Sequence, residues 1–406
     1  MAKEEIVTGL DIGTTKTSAV VARVSKEGVI EILGFGSSPT MGGLRKGVIS
    51  NLENTVRAIE EAVEKAEEMA DVKVKDMVAN IGGIHLKSAN SNGTRNTSKG
   101  NKEITKQDIK AVIDASCALT IPIDEEIIFV SPQEYIIDGH DGIKEPPVGL
   151  LGETLGVKVH LLMAKITSMH NIIKSINLAG LRFKRIIPGM LVSSISVLDK
   201  EETENGVMLV DIGGGTTEVA VYVKGALVHS NILGLGGDNV TNDIAIGLHS
   251  SIEVAEKVKK EFGCAYSPIA HEGNFEVPGL AGRESTTFSL LMLSEIIQAR
   301  MEEIFELIKA ELKKTGYEDL LSAGVVLTGG TANMTGIVEL GQDILKIPVK
   351  MGLPRNVAIT EEFKELADPS YSVSLGLLKY AQIKGYFLTS NTGVFEKMTR
   401  WVKDFF

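Results

Sequence analysis

Two segments far apart in the chain carry side chains suited to holding phosphate. The first reads Val7-Thr8-Gly9-Leu10-Asp11-Ile12-Gly13-Thr14-Thr15; the second reads Val207-Met208-Leu209-Val210-Asp211-Ile212-Gly213-Gly214-Gly215-Thr216-Thr217. In each, an apolar strand runs into Asp-Ile-Gly, then into small or hydroxylated residues, then into a second apolar strand. That pattern is a β-hairpin whose tip offers backbone N–H groups and hydroxyls with little bulk in the way, a nest for phosphate oxygens. An aspartate at the strand end, Asp11 or Asp211, can hold a hydrated Mg²⁺, an ion that keeps several of its waters. Lys16, beside the first tip, adds a cation for the phosphates. One Asp-x-Gly-Thr alone reads about as well as a plain hairpin turn. Two copies predict two similar α/β halves that face one another and clamp a nucleoside triphosphate from both sides.

Two weaker elements join them. Gly324-Val325-Val326-Leu327-Thr328-Gly329-Gly330-Thr331-Ala332-Asn333-Met334 is a strand, a Gly-Gly turn and a helix start. Its glycines let backbone approach a flat ligand such as a purine, although an ordinary strand-to-helix turn has the same look. Glu256, Lys259 and Lys260 share one helical face and could reach a ribose; taken alone, such spacing is more often a solvated ion-pair face. Other chemistries lack their residues. The seven histidines are scattered with no His-Glu-x-x-His, the two cysteines (Cys117 and Cys264) lack metal spacing, and no Gly-x-Ser-x-Gly or Gly-Lys occurs.

The elements that must position these residues alternate short apolar runs with amphipathic stretches, as in a mixed α/β protein. Strands are expected at Ile6 to Leu10 and Ala19 to Val24, and helices at Asn51 to Met69, Lys106 to Ala118, Ile252 to Phe262 and Leu290 to Lys314. Residues 88–102 and 138–149 read as loops, and two helical stretches flank Pro188-Gly189 between Met169 and Leu198. The charged segment 200–206 reads as a boundary. With 406 residues the chain is long enough for two or three domains. A net charge of -11 argues against nucleic-acid binding. Two cysteines make no disulfide framework, which suits a reduced cytoplasmic setting. Lys3, Glu4 and Glu5 interrupt any signal peptide, and the longest uncharged stretch, Leu320 to Val338, holds four glycines and is a poor membrane span.

With two phosphate hairpins and a late Gly-Gly turn, the chain resembles the superfamily of actin, heat-shock chaperones and sugar kinases. Within it the sequence is similar to the FtsA family, actin-like proteins of bacterial cell division. Ser131-Pro132-Gln133-Glu134-Tyr135-Ile136-Ile137-Asp138-Gly139, with Gly142-Ile143-Lys144 and Pro147-Val148-Gly149 after it, looks like the inserted 1C subdomain of that family. Leu235-Gly236-Gly237-Asp238-Asn239-Val240-Thr241-Asn242-Asp243-Ile244-Ala245 and the segment Gly393 to Phe406 carry the likeness further. The resemblance implies an actin-like (duplicated ribonuclease-H-like) α/β ATPase fold around a nucleotide cleft. The first half would span 1–83 and 162–203, the 1C insertion 84–161, the second half 204–246 and 324–388, a 2B subdomain 247–323, and a linker with a membrane helix 389–406.

By the same resemblance, ATP and Mg²⁺ would sit between two phosphate loops. Asp11, Gly13, Thr14, Thr15 and Lys16 form the first; Asp211, Gly213, Gly214, Gly215, Thr216 and Thr217 form the second. Glu256, Lys259 and Lys260 would face ribose and base, and Gly329, Gly330, Thr331 and Asn333 would border the adenine. Asp11 and Asp211 would hold the metal through water; no residue is assigned as catalytic, although Asp211 could act through a Mg-bound water. Actin-like ATPases carry a Gln or Glu near the helix linking the halves, whereas Ile186 to Leu198 has no Gln, Glu or Asp, so hydrolysis is expected to be slow, below the ~1 s⁻¹ low end of typical enzymes.

The implied role is an ATP-binding, polymerising tether between the FtsZ ring and the inner face of the cytoplasmic membrane at the division site, which also recruits later division proteins. Arg300, on the helix from Leu290, would contact the FtsZ C-terminal peptide, although its own-helix neighbour Glu303 is a competing partner. Val394, Phe395, Met398, Val402 and Phe405 recur on one helical face with Trp401 and Phe406 at its edge, the pattern of a peripheral membrane helix on anionic lipid. The alternatives are a small-molecule kinase of the same superfamily and a pilus-assembly actin-like ATPase; neither accounts for that segment.

Overall fold

The computed structural model describes residues 5–25, 28–97, 103–279, 284–355 and 357–384. Val394, Phe395, Met398, Trp401, Val402, Phe405 and Phe406 lie outside the described residues.

The internal repeat of the sequence becomes a repeat of topology. The first half is a five-stranded sheet ordered Arg182–Pro188, Asp76–Ile81, Glu5–Ile12, Lys16–Val24, Ile30–Pro39. The second is ordered Val349–Met351, Val325–Thr328, Val207–Ile212, Thr217–Val223, Ala226–Leu233. In both, three antiparallel strands meet two parallel ones at the strand that ends in Asp-Ile. The central strand Val207–Ile212 is buried along its whole length because it is covered on both faces. In the first half, the helix Leu52–Ala70 packs against one face, while Gly189–Val197 and Ser372–Lys384 cover the other.

The helix Leu52–Ala70 arises from its own sequence. Asn51 caps it by accepting the N–H of Asn54, and Ala58, Ile59, Ala62, Val63 and Ala66 form its buried stripe. The helix Lys106–Ser116 starts in a reciprocal capping box between Thr105 and Asp108.

Between the strands of the first half the chain leaves to build a separate four-stranded sheet, ordered Leu86–Asn96, Thr154–Lys165, Glu125–Ile137, His140–Ile143, with its own core around Ile109, Val112, Tyr135, Val157 and Leu161. Here the sequence reading needs correction twice. Residues 86–96, rich in Ser, Asn and Gly, form a strand and not a loop. They pair along their whole length with Thr154–Lys165, and cross-strand bonds override a poor local propensity. The segment 138–149 likewise contains the short strand His140–Ile143. A third correction lies between Met169 and Leu198, where the strand Arg182–Pro188 separates the helices Ile166–Leu178 and Gly189–Val197. Its parallel partner is Asp76–Ile81, more than a hundred residues away, so a local window could not find it. The charged boundary segment forms the short helix Lys200–Asn205, capped by Asp199 and Glu202.

Among the described residues, no helix is long and apolar enough to cross a membrane.

Candidate functional site

Each strand that carries an aspartate delivers it to the C-terminal edge of its sheet, and the two edges face one another. Gly13 donates its N–H to the Lys16 carbonyl and Gly213 to the Thr216 carbonyl, so both tips close as the same tight turn. The tips approach closely. A methyl group on Gly214 would overlap Thr15 Oγ1, and one on Gly215 would come within 2.8 Å of Thr14 Oγ1. Between and behind them lies a cleft of about 880 Å³, the size of a small-molecule site.

Of the residues expected there, Asp11, Gly13, Thr14, Thr15, Lys16, Asp211, Gly213, Gly214, Gly215, Thr216, Glu256, Lys259, Lys260, Gly329, Gly330, Thr331 and Asn333 all line the cleft. Thr217 does not. It is fully buried and its hydroxyl donates to the Leu235 carbonyl, because strand alternation turns it away from the face that Thr216 and Glu218 share.

The floor is acidic and largely buried. Asn80 Nδ2 donates to Asp11 Oδ1 at 2.8 Å while its own Oδ1 accepts the Ile12 N–H, which fixes the Asp11 carboxyl. Burial, reinforced by the nearby Asp211 charge and opposed by Lys16 and Asn80, raises Asp11 to about 7. Burial raises Asp211 to about 6 against a hydrogen bond from Ser193. Gly329, at φ +87, sits so close that a Cβ there would strike Asp211 Oδ1; the left-handed conformation and the lack of space both require glycine.

Two carboxylates facing one another in a low-dielectric floor repel, and a divalent cation relieves that repulsion. The donor set therefore fits a Mg²⁺ held through its waters. Lys16 is lowered to about 8, chiefly by burial; its Nζ lies 3.3 Å from the Tyr371 ring centroid and donates to Ser370 Oγ at 2.8 Å.

On the opposite wall, Glu256 accepts from Thr241 and pairs with Lys259 at 2.6 Å and Lys260 at 3.2 Å. Lys259 in turn donates to the Gly237 carbonyl. Burial opposes ionisation of Glu256, but the Lys259 charge and these hydrogen bonds hold it below the usual carboxylate range. The face expected to meet ribose and base lines the cleft and is also a partly buried clasp between the helices Gly237–Gly247 and Ile252–Phe262, not the solvated ion-pair face that its spacing alone would suggest. Asn333 donates to both oxygens of Asp368 at 2.9 Å, which brings 365–373 to the edge of the cleft.

Several lining residues escaped the sequence reading. Glu218 is the most consequential: a buried carboxyl raised to about 8 by burial and by the Asp211 and Asp11 charges. It stands two residues past Thr216, so period-two alternation out of the second hairpin was the signal that could have found it. The linking helix Gly189–Val197 indeed lacks a carboxylate or amide, but Glu218 supplies a carboxyl against its first turn. Asp238 accepts the Thr15 hydroxyl across the cleft. Asn80, Asp238, Ser370 and Tyr371 needed the topology. Arg300 lies apart from the cleft, half-buried, with Nε and Nη2 on Asp243 at 2.5 and 3.0 Å and Nη1 on Glu303.

The three raised carboxyls predict a pH dependence. Each folded value lies above the unfolded value near 4, so the native chain holds extra protons, and their stabilising effect is lost as pH rises through about 6 to 8. His85 and His160, lowered mainly by burial to about 4 and about 3, act in the opposite sense, but only below the unfolded histidine value of about 6.5. Lys16 acts oppositely only above about 8. From pH 6.5 to 8 the Tm of nucleotide-free protein therefore falls, and Asp11→Asn flattens the fall. A scanning-calorimetry Tm that is level or rising across that window in the unsubstituted protein would contradict the buried acidic floor.

Comparison with known proteins bears on this site. The family model for the cell division protein FtsA matches residues 208–376, and that for the SHS2 domain inserted in FtsA matches residues 83–163. The chain is 38% identical to the cell division protein FtsA of Pseudomonas aeruginosa over 98% of both chains. It is 35% identical to that of Escherichia coli, covering 93% of this chain and 90% of the relative, and 35% identical to that of Bacillus subtilis, covering 94% and 84%. Among solved structures, the fold resembles a PilM–PilN type IV pilus biogenesis complex (TM-score 0.66, 17% identity, 93% of this chain and 98% of that one). It also resembles MreB5 of Spiroplasma citri bound to AMPPNP (TM-score 0.57, 14% identity, 94% and 96%). These structures establish an actin-like fold.

Proposed function

The chain belongs to the FtsA family of cell division proteins, and from that premise we propose that it binds ATP with Mg²⁺ in the cleft, polymerises, and tethers the FtsZ ring to the inner face of the cytoplasmic membrane while recruiting later division proteins. The observation that carries the nucleotide part is the pair of Asp-Ile-Gly hairpins meeting tip to tip over a floor of buried carboxyls. The AMPPNP-bound relative of the same fold supports it.

Asp11 and Asp211 would hold the ion, which would neutralise phosphate charge when bound. This chain's own groups do the rest. The tip amides and the Thr14, Thr15 and Thr216 hydroxyls grip phosphate oxygens, and Lys16 leaves Ser370 for the phosphates. Turnover is slow, because the linking helix Gly189–Val197 carries no carboxylate or amide to orient a water, and the carboxyl beside it, Glu218, is already engaged by two backbone N–H groups. Sedimentation with anionic vesicles, ATP and the FtsZ C-terminal peptide tests the whole reading: protein, vesicles and peptide should pellet together, with phosphate release below ~1 s⁻¹. Protein that stays in the supernatant with vesicles and ATP would refute it.

Arg300 is the proposed anchor for a peptide carboxylate, since a guanidinium binds one bidentately. Its present hold on Asp243 means that the peptide must compete with an internal carboxylate. Arg300→Glu should weaken peptide binding by about tenfold or more, the scale of one charge-assisted hydrogen bond, while Asp243→Asn should leave it equal or tighter. Fluorescence polarisation with a labelled peptide decides: equal affinity for Arg300→Glu and the unsubstituted protein removes the residue from the contact.

A further inference from the structure

We propose that Glu218 is the positioning residue through which the inserted subdomain feels occupancy of the cleft; the inference rests on the nucleotide reading above. Glu218 belongs to the second half, where it stands opposite Asp211 in the hairpin register. Its carboxyl reaches across and accepts the backbone N–H of Gly83 and of Met190. Those two amides begin different elements. Gly83 is the turn by which the chain passes from the first half into the inserted subdomain, and Met190 is in the first turn of the linking helix.

Both contacts are built into the backbone. A Cβ at Gly82 would overlap Glu218 Oε1, and a Cβ at Gly189 would lie 3.2 Å from Oε2. Each oxygen thus faces its own element, and each element places a glycine there. Gly83, at φ +121, is wedged on its other side against the backbone of Gly47, and Ile84 donates its N–H to the Lys46 carbonyl. The turn is therefore gripped between Lys46 and Gly47 of the first half and Glu218 of the second.

The chain leaving Gly83 is firmly tied. His85 is buried with neither ring nitrogen partnered, and its carbonyl accepts the Lys165 N–H, so the chain's departure to the insertion and its return are joined at one place. Beyond it, the inserted sheet is bonded to the second half as well. Ser88 Oγ donates to the Ser230 carbonyl at 2.6 Å, Asn90 Nδ2 to the Val228 carbonyl at 3.1 Å, and His160 Nε2 lies 2.7 Å from Ser230 Oγ.

A subdomain inserted in the first half is therefore held by the second half at two points, and one of these is the floor of the cleft. A ligand that draws the two hairpins together moves Glu218 with its strand, and Gly83 and the inserted sheet with Glu218. The linking helix is held in the same way, since its Ser193 donates to Asp211 while its Met190 N–H goes to Glu218.

Hydrogen-exchange mass spectrometry on the full chain, with and without Mg·ATP at a concentration that calorimetry shows to saturate each variant, tests this. In the unsubstituted protein Mg·ATP should slow exchange at residues 83–96 and 154–165 on the order of tenfold, together with the hairpin tips. In Glu218→Gln, whose amide can accept only one of the two N–H groups, the ligand-dependent change at 83–96 should fall below about twofold while the tips remain protected. Gly82→Ala, which pushes on Oε1 from outside the cleft and alters no cleft side chain other than Glu218, should do the same, and it decides the matter should Glu218→Gln not fold. Variants that keep the full change at 83–96, or an unsubstituted protein whose tips alone respond, would overturn the inference. Absence of any binding heat in the unsubstituted protein would instead overturn the nucleotide reading, and the inference with it.

Discussion

Asp211→Ala should weaken Mg·ATP binding by about ten- to a hundredfold, the scale of one or two charge-assisted hydrogen bonds at 1.4 kcal/mol per decade. Asp211 is buried at the end of its strand, with a hydrogen bond from Ser193 and with Gly329 packed against Oδ1, while the neighbouring carboxyls are held elsewhere, Asp11 by Asn80 and Glu218 by two backbone N–H groups. The glycines sharpen the test. Gly214→Ala would drive a methyl into Thr15 Oγ1, and Gly329→Ala would both strike Asp211 and force an alanine to φ +87. Each should cost as much affinity as the aspartate. Gly213 has less room than an open turn, since a Cβ there would lie 3.3 Å from the Thr216 carbonyl, but far more than Gly214, so Gly213→Ala should cost the least. Titration calorimetry showing unchanged affinity for both Asp211→Ala and Gly214→Ala would place the nucleotide elsewhere.

Deleting residues 393–406 should abolish binding to anionic vesicles and leave ATP binding intact. Val394, Phe395, Met398, Val402 and Phe405 share a helical face, Trp401 is the only tryptophan of the chain, and tryptophan favours the headgroup boundary. Lys397, Arg400 and Lys403 against Glu396 and Asp404 give a local side-chain charge of three minus two, +1, where the whole chain carries -11; approach to anionic lipid is not strongly opposed there. Burying each large side chain is worth at most about 1.5–3 kcal/mol, less the cost of ordering the helix. One such segment therefore binds reversibly, and a polymer presenting many holds firmly, since each later contact is intramolecular. Trp401→Glu should reproduce most of the loss. If the truncated protein co-sediments with vesicles as well as the full chain does, the tether reading fails while the nucleotide site stands.

The phosphate hairpins were legible because their chemistry is local. Backbone nests, an aspartate at the strand end and a Gly-Thr tip all fall within eleven consecutive residues, and the repetition of that pattern at Asp11 and Asp211 already implied two facing halves. The Gly324 turn and the Glu256 face were legible for the same reason, as short-range patterns, although only the fold shows that Lys259 also bonds the Gly237 carbonyl and Thr241 on the neighbouring helix. The sequence also carried the family likeness, in the inserted segment around Ser131 and in Gly236 to Asp243.

Tertiary structure alone decided the rest. Asn80 reaches Asp11 only because two parallel strands separated by some seventy residues lie side by side. Tyr371 and Ser370 meet Lys16 across more than three hundred and fifty residues of chain. The strands Leu86–Asn96 and Arg182–Pro188 form because distant partners supply hydrogen bonds that their own composition does not predict. Glu218 acquires its place, and its proton, from burial beside two other carboxyls, a property of no single segment. Side-chain type and spacing fix what a short stretch can bind; which groups are desolvated together, and hence which of them are charged, is fixed only when remote segments close over them.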